Sequence, residues 1–330
     1  MKAAVWNSSG SLDVADRPVP EPRPGWARVR VSSVGICGTD LHFFRGSFPS
    51  PAGLLPGHEV GGTVDALGEG VPGPEPGTVV AVEPLVGCGA CPACRAGQYN
   101  RCPARTLFGV SARGGLAEYL VVPAGCLYPL PRALSATDGA LAEPLAVCAR
   151  GVRLAAVGLG DRVAVLGAGT IGLMAVLAAR AAGAAEVRIS ARHPVQARMA
   201  DRLGAQALEA GDEASFDQVI ETVGGEAKTL GEAVALARPG GTIAMLGVFG
   251  TPPRLPALDF STKELRLVGS NCYGRAGGRS DFDIGVALLA RSAPELRPLV
   301  THRFTLDEVN EAFSTAADKT SGSIKVQLTP

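Results

Sequence analysis

The tightest constraint on this fold lies between Arg162 and Arg180. An apolar run, Val163–Leu166, meets Gly167-Ala168-Gly169-Thr170-Ile171-Gly172, and the residues from there to Arg180 read as a helix. A strand that enters a helix through G-x-G-x-x-G opens a parallel βα sheet that binds a dinucleotide. The glycines permit a tight turn, close approach of the backbone to the pyrophosphate, and close helix–strand packing. The helix N-terminus then offers free N–H groups and a positive dipole end to the phosphates. Spacing alone decides little, because glycine is 43 of 330 residues and the pattern should arise about 0.7 times by chance. A second match does occur, at Gly68-Glu69-Gly70-Val71-Pro72-Gly73. There Pro72, Pro74 and Pro76 forbid the required helix. Context selects Gly167.

The texture around this motif agrees. From about Ser135, where Ser135-Ala136-Thr137-Asp138 reads as a helix start, strands and helices alternate. The strands are Arg162–Leu166, Glu186–Ser190, Phe216–Glu221, Thr242–Val248 and Leu265–Ser270. The helices start at Thr170 and cover Val195–Leu203 and Lys228–Arg238. Repeated βα units predict a parallel sheet with helices on both faces. Before them the chain is mostly β, with strands expected at Lys2–Trp6, around Val29, and at Glu59–Ala66, Thr78–Glu83 and Leu116–Val122. After them come a helix near Asp283–Ala290, one with a capping box at Thr305 and Glu308, and a closing strand Ile324–Leu328. His302 falls just before that second helix. The fold class is α/β, with a parallel-sheet domain at 145–270 set into a β-rich domain at 1–144 that 271–330 completes.

Composition removes several functions. The 330 residues suffice for two domains, and 46% hydrophobic with 19% charged residues excludes disorder. Net charge is zero and Lys/Arg never form a run, so nucleic acid and anionic membranes lack an electrostatic motive. Ile171–Ala179 stops at Arg180, short of the roughly 20 residues of a membrane span. The N-terminus turns polar at Asn7 and lacks the apolar core of a signal peptide. A soluble, cytoplasmic protein is expected.

The end of the second strand of the parallel sheet bears on which dinucleotide binds. An acid about 20 residues past the glycines would hold the ribose 2′-hydroxyl of NAD. The position falls on Ala191, followed by Arg192. A missing anion beside a guanidinium favours the 2′-phosphate of NADP over NAD. Arg192 as a plain surface charge would leave either cofactor acceptable.

Eight cysteines are present, and four of them crowd together as Cys88-x-x-Cys91-x-x-Cys94-x7-Cys102. Chance would place them so on the order of once in ten thousand. Four thiolates can close a tetrahedral shell and leave no open position, which points to structural zinc. Iron–sulfur ligation and a disulfide-exchange loop are the alternatives. Exchange pairs usually open a helix, and Pro92 and Gly97 argue against one. Cys126, Cys148 and Cys272 read as buried thiols.

A second constellation sits in Cys37-Gly38-Thr39-Asp40-Leu41-His42 and Gly57-His58-Glu59. A thiolate, an imidazole and a carboxylate make a mixed zinc set with an open fourth position. Glu143, in Ala142-Glu143-Pro144-Leu145, and Glu59 compete for the carboxylate role.

Taken together, the Cys37–His42 and Gly57–Glu59 segments, the cysteine loop, Glu143-Pro-Leu and Gly167–Gly172 resemble the zinc-containing medium-chain alcohol dehydrogenases. The likeness runs end to end and is to the sorbitol/threonine dehydrogenase branch. It implies a GroES-like catalytic domain beside a Rossmann domain, with the active site in the cleft. Cys37 and His58 would hold catalytic zinc, with Glu143 or Glu59 completing the shell. Asp40 would orient His58, Thr39 would pass on the substrate proton, and His42 would deliver it to solvent. The resemblance also implies hydride transfer between a secondary alcohol and NAD(P), and a homodimer or homotetramer. Ala191 departs from the aspartate of many NAD-using relatives. Rival readings are a zinc-free quinone or enone reductase and a non-catalytic cofactor-binding subunit. The pocket-lining candidates Phe43, Phe44, Phe48, Asn271, Tyr273 and Arg275 do not select a substrate.

Overall fold

The computed structural model describes residues 1–7, 10–49 and 51–330. The chain divides into two compact units, Met1–Glu143 with Gly274–Pro330, and Pro144–Tyr273. In the first, a seven-stranded sheet runs in the order Val300–Thr305, Lys325–Thr329, Trp26–Gly35, Glu59–Leu67, Val79–Val82, Leu127–Pro129. Tyr119–Pro123 pairs with Trp26–Gly35 beside this path. The central strand Trp26–Gly35 buries Ala27, Val29 and Val31 in alternation, as its period-two pattern requires.

Register then places chemistry. Gly35 lies opposite Glu59 on one side and Gln327 on the other. The last strand of the chain is thereby carried into the heart of the sheet. Position 35 has to be glycine, because a Cβ there would overlap the Glu59 carboxylate. Beyond this strand, Cys37 caps the short helix Gly38–Phe44. An aromatic cluster holds that helix in place. Phe313, on the helix Val309–Ala317, meets Phe44 and Trp6 with ring centroids 5.4 Å apart in each pair.

The second unit is a six-stranded parallel sheet, ordered Gln206–Ala207, Glu186–Ile189, Arg162–Leu166, Phe216–Glu221, Ala237–Met245, Arg266–Gly269. Numbered along the chain this is 3-2-1-4-5-6, the Rossmann order, whose direction reverses at Arg162–Leu166. Val163 through Leu166 are buried on both faces, which explains their unbroken apolar run.

Several expected elements shift. The helix expected over Lys228–Arg238 ends at Leu236, and the next strand starts at Ala237 rather than Thr242. Pro239 is the cause, since the residue before a proline is pushed out of the helical region. His302 lies within the strand Val300–Thr305, which the sequence reading had not assigned. Cys126 and Cys148 are buried as expected, but Cys272 is half-buried, with a left-handed φ of 53°. Among the described residues, no helix is long and apolar enough to cross a membrane.

The helix start expected at Ser135 is a tight turn that leads through a 3-10 turn, Asp138–Leu141, into the helix Ala142–Leu154. The Asp138 carboxylate accepts the Ser135 N–H at 2.8 Å and hydroxyl at 2.7 Å, and pairs with Arg297 at 2.9 Å. Burial pushes its pKa up, but Arg297 and Ser135 outweigh burial and hold it below the ordinary value. A depressed carboxyl stabilises the fold above its unfolded pKa of about 3.9 and loses that contribution as pH falls through the folded value. Asp138→Asn should therefore cost about 1–3 kcal/mol at pH 7. In urea titrations the gap from the native protein should close as pH falls through the lowered folded value.

Candidate active site

Three potential ligands converge from separate elements. Cys37 caps its helix, His58 immediately precedes the strand Glu59–Leu67, and Glu143 lies in the first turn of Ala142–Leu154. His58 and Glu143 are buried. Burial would lower the His58 pKa, but Asp40, Cys37 and Glu143 together raise it well above the usual value, with a side-chain hydrogen bond to Cys37 contributing. Burial pushes Glu143 up to about 7, against the pull of His58. A dry carboxylate of this kind asks for a cation. Thiolate, imidazole and carboxylate are a donor set that zinc accepts, so these residues fit the metal.

Glu59 has a different partner. Its two oxygens accept from Lys325 Nζ at 2.8 and 2.6 Å, and the same ammonium donates to the Ile36 carbonyl at 2.9 Å. Both side chains are almost fully buried, at 2% exposure for Lys325 and 1% for Glu59. The ammonium bonds Glu59 directly, whereas Glu143 feels only the pull of His58 and, more weakly, of Lys325. Nothing in the sequence points to Lys325. It lies between Ile324 and Val326, where alternation reads as a solvent-facing lysine on an edge.

The residues around this set have definite places. Asp40 Oδ2 accepts the Cys37 N–H at 2.9 Å. Its Oδ1 stands 3.7 Å from His58 Nδ1, too long for a hydrogen bond. Both of those atoms are buried without a hydrogen-bond partner. The Thr39 hydroxyl lies 3.9 Å from Cys37 Sγ. The His42 ring stacks on Phe48 at 4.7 Å, and burial, with Arg45 adding, lowers its pKa.

Cys88, Cys91, Cys94 and Cys102 place their sulfurs within 4.8 Å of one another. Among the described residues no other group of three or more His, Cys, Asp or Glu side chains is this tight, and Cys37, His58 and Glu143 stand further apart. Backbone N–H groups already point at sulfur, from Cys88 to Cys102 at 3.3 Å and from Cys91 to Cys88 at 3.4 Å. N–H groups of Ala90 and Cys91 pull the Cys88 thiol down to about 6, whereas burial pushes Cys94 up to about 12. Holding all four as thiolates therefore takes a cation. Cys91 does open a short helix, Pro92–Arg95, because proline at the first helical position loses no hydrogen bond.

In the parallel sheet, Gly167 has a φ of 95°, a conformation that other residues rarely adopt. Its N–H donates to Ser190 Oγ at 2.9 Å, and Thr222 Oγ1 donates to the Leu166 carbonyl at 2.7 Å. These two hydroxyls pin the loop, and the sequence reading found neither. A Cβ on Gly172 would overlap the Gly167 carbonyl, whereas one on Gly169 meets nothing within 4 Å. The open side belongs to Gly169, at the N-terminus of the helix Thr170–Ala182. Ala168 is buried, while Thr170 and Ile171 form the half-buried first turn. Ala191 and Arg192 follow the strand Glu186–Ile189 and are exposed, and Arg192 has no ion-pair partner among the described residues.

Comparison with known proteins places this geometry in context. Residues 23–132 match the family described as alcohol dehydrogenase GroES-like domain, and residues 170–291 match zinc-binding dehydrogenase. The sorbitol dehydrogenase of Gallus gallus is 32% identical over 99% of this chain and 95% of its own. The 2-dehydro-3-deoxy-L-galactonate 5-dehydrogenase of Pseudoalteromonas atlantica is 32% identical over 95% and 94%. A zinc-binding dehydrogenase of Sinorhizobium meliloti 1021, solved bound to NADP, superposes with a TM-score of 0.91 at 36% identity over 100% and 99%.

Removing Lys325 tests the assignment of Glu59. Lys325→Met leaves a buried carboxylate without its cation and should cost about 3–5 kcal/mol by urea denaturation. Adding Glu59→Gln to that variant should recover much of the loss. A cost under about 1 kcal/mol would show that the pair does not bear on the fold.

Proposed function

Because the chain belongs to the zinc-binding dehydrogenase family and is a zinc-type alcohol oxidoreductase, we propose that it interconverts a secondary alcohol and its ketone with NADP as preferred cofactor. The alcohol is carried by a polyol, sugar acid or related hydroxylated metabolite, the kind of compound named for its relatives. One observation carries the assignment of the centre. Lys325 engages Glu59, so the set free to hold catalytic zinc is half-buried Cys37 with buried His58 and Glu143. The cysteine quartet would hold a second zinc, which four thiolates would enclose and so keep structural.

Zinc, when bound, supplies Lewis acidity that favours loss of the substrate hydroxyl proton near neutral pH. The chain's own residues handle that proton. Thr39 accepts it at its hydroxyl and passes it on. His42, kept neutral by burial and held flat against Phe48, receives it and releases it to solvent. Asp40, fixed by the Cys37 N–H, keeps a carboxylate beside His58 and sets the orientation of the imidazole.

The glycine loop and the open N-terminus of Thr170–Ala182 cradle the pyrophosphate. NADP, when bound, accepts the hydride. The unpaired Arg192 beside Ala191 suits the 2′-phosphate, and the similar Sinorhizobium protein was solved with NADP. We assign a homo-oligomer, built on the exposed sheet edge Arg266–Gly269.

Initial rates at 340 nm test this reading, on enzyme of assayed zinc content, with polyols, sugar acids, amino alcohols, cyclitols and simple secondary alcohols. Turnover should require zinc and favour NADP by about tenfold or more in kcat/KM, and Ala191→Asp should shift that preference toward NAD. Cys37→Ser should lower zinc from about two to about one per chain and abolish turnover with little change in Tm. Cys102→Ser should also lose about one zinc, with a clear fall in Tm. A zinc-replete enzyme silent in both directions on the whole panel would contradict the proposal.

A further inference from the structure

The GroES-like unit contains a cavity of about 320 Å³ that shares no residue with the ligand, relay or cofactor sets. This puts it at the small end of the range for ligand pockets. Its floor is apolar and aromatic. The Trp26 and Phe108 rings meet edge to face at 6.0 Å, with Leu55 and Leu120 beside them. Phe108, Leu55 and Leu120 are buried, and Trp26 is half-buried. Arg23 and Arg113 stand on the wall.

The charges there are uneven. Arg23 lies over the Trp26 ring at 4.1 Å and has no carboxylate partner among the described residues. Arg113 is exposed and has no ion-pair partner among them either. The one acid of the lining, Glu21, is already bound to Arg28 at 2.9 Å, and Arg28 is shared further with Asp65 at 2.6 Å. Two arginines without an ion-pair partner among the described residues therefore line a recess that is otherwise largely aromatic and aliphatic.

We propose that this recess is a binding site for a small aromatic carboxylate. Its ring would lie against Trp26 and Phe108, and its carboxylate would bridge Arg23 and Arg113. The guanidinium fork matches a planar carboxylate in two hydrogen bonds, and Arg23 is already oriented by its position over the indole. A neutral arene would use the floor alone. A non-aromatic anion would meet the arginines but not the floor. The combination selects for both features.

Calorimetric titration of the zinc-loaded enzyme with 2-naphthoate tests this, with and without saturating NADP. One molecule of 2-naphthoate should bind per chain in the micromolar to low-millimolar range, unchanged by NADP. The neutral isostere 2-naphthamide should bind about tenfold more weakly. Arg23→Gln/Arg113→Gln should weaken 2-naphthoate by about tenfold or more and remove its advantage over the amide. The same variant should keep native zinc content and native alcohol-oxidation rates, which separates this site from the dehydrogenase centre. Competition by NADP, equal affinity for acid and amide, or an unchanged affinity in the double variant would overturn the proposal. So would absence of binding to the native enzyme at millimolar 2-naphthoate.

Discussion

The Lys325–Glu59 pair is the interaction on which the site depends. It joins a residue five positions from the C-terminus to the residue that follows His58, inside a sheet where neither charge has water. Buried pairs of this kind seldom add net stability over an apolar equivalent, but removing one partner is costly. The pair therefore acts as a specificity device. It favours docking of the strand Lys325–Thr329 beside Trp26–Gly35 in one register, and it engages the carboxylate of one of two nearby glutamates. Gly35 belongs to the same arrangement, since only a residue without a side chain leaves room for the Glu59 carboxylate.

The two candidate metal-binding sets differ in build. The cysteine quartet is compact and is served by its own backbone N–H groups, so a bound ion would be enclosed by protein. The Cys37, His58 and Glu143 set is looser and comes from three elements. Thr39 and Asp40 border it, close to Cys37. The proposed structural and catalytic roles call for a contrast of this kind. In the parallel sheet, the hydroxyls of Ser190 and Thr222 hold the shape of the glycine loop.

Much of this was legible in the sequence, because periodicity and spacing report local geometry. Arg162–Leu166 and Phe216–Glu221 fall where the pattern puts them, and the glycine motif opens a helix as its context requires. The Cys88–Cys102 spacing does bring four sulfurs together. What stayed hidden depends on pairing across long separations. The strand Val300–Thr305 has weak alternation and forms because Lys325–Thr329 lies beside it. Lys325 looks like a surface residue until the sheet brings Glu59 to it. The bond of Glu59 stays hidden for the same reason: its partner lies 266 positions away in the chain.

The most direct test of the account is the pair of zinc positions in crystals of the enzyme, located by anomalous scattering at the zinc edge. The account predicts two peaks per chain. One lies among Cys88, Cys91, Cys94 and Cys102, and the other is bounded by Cys37, His58 and Glu143 while Glu59 remains on Lys325. A second peak ligated by Glu59, with Lys325 displaced, would contradict the central assignment. So would a zinc-replete crystal whose only peak lies in the cysteine loop.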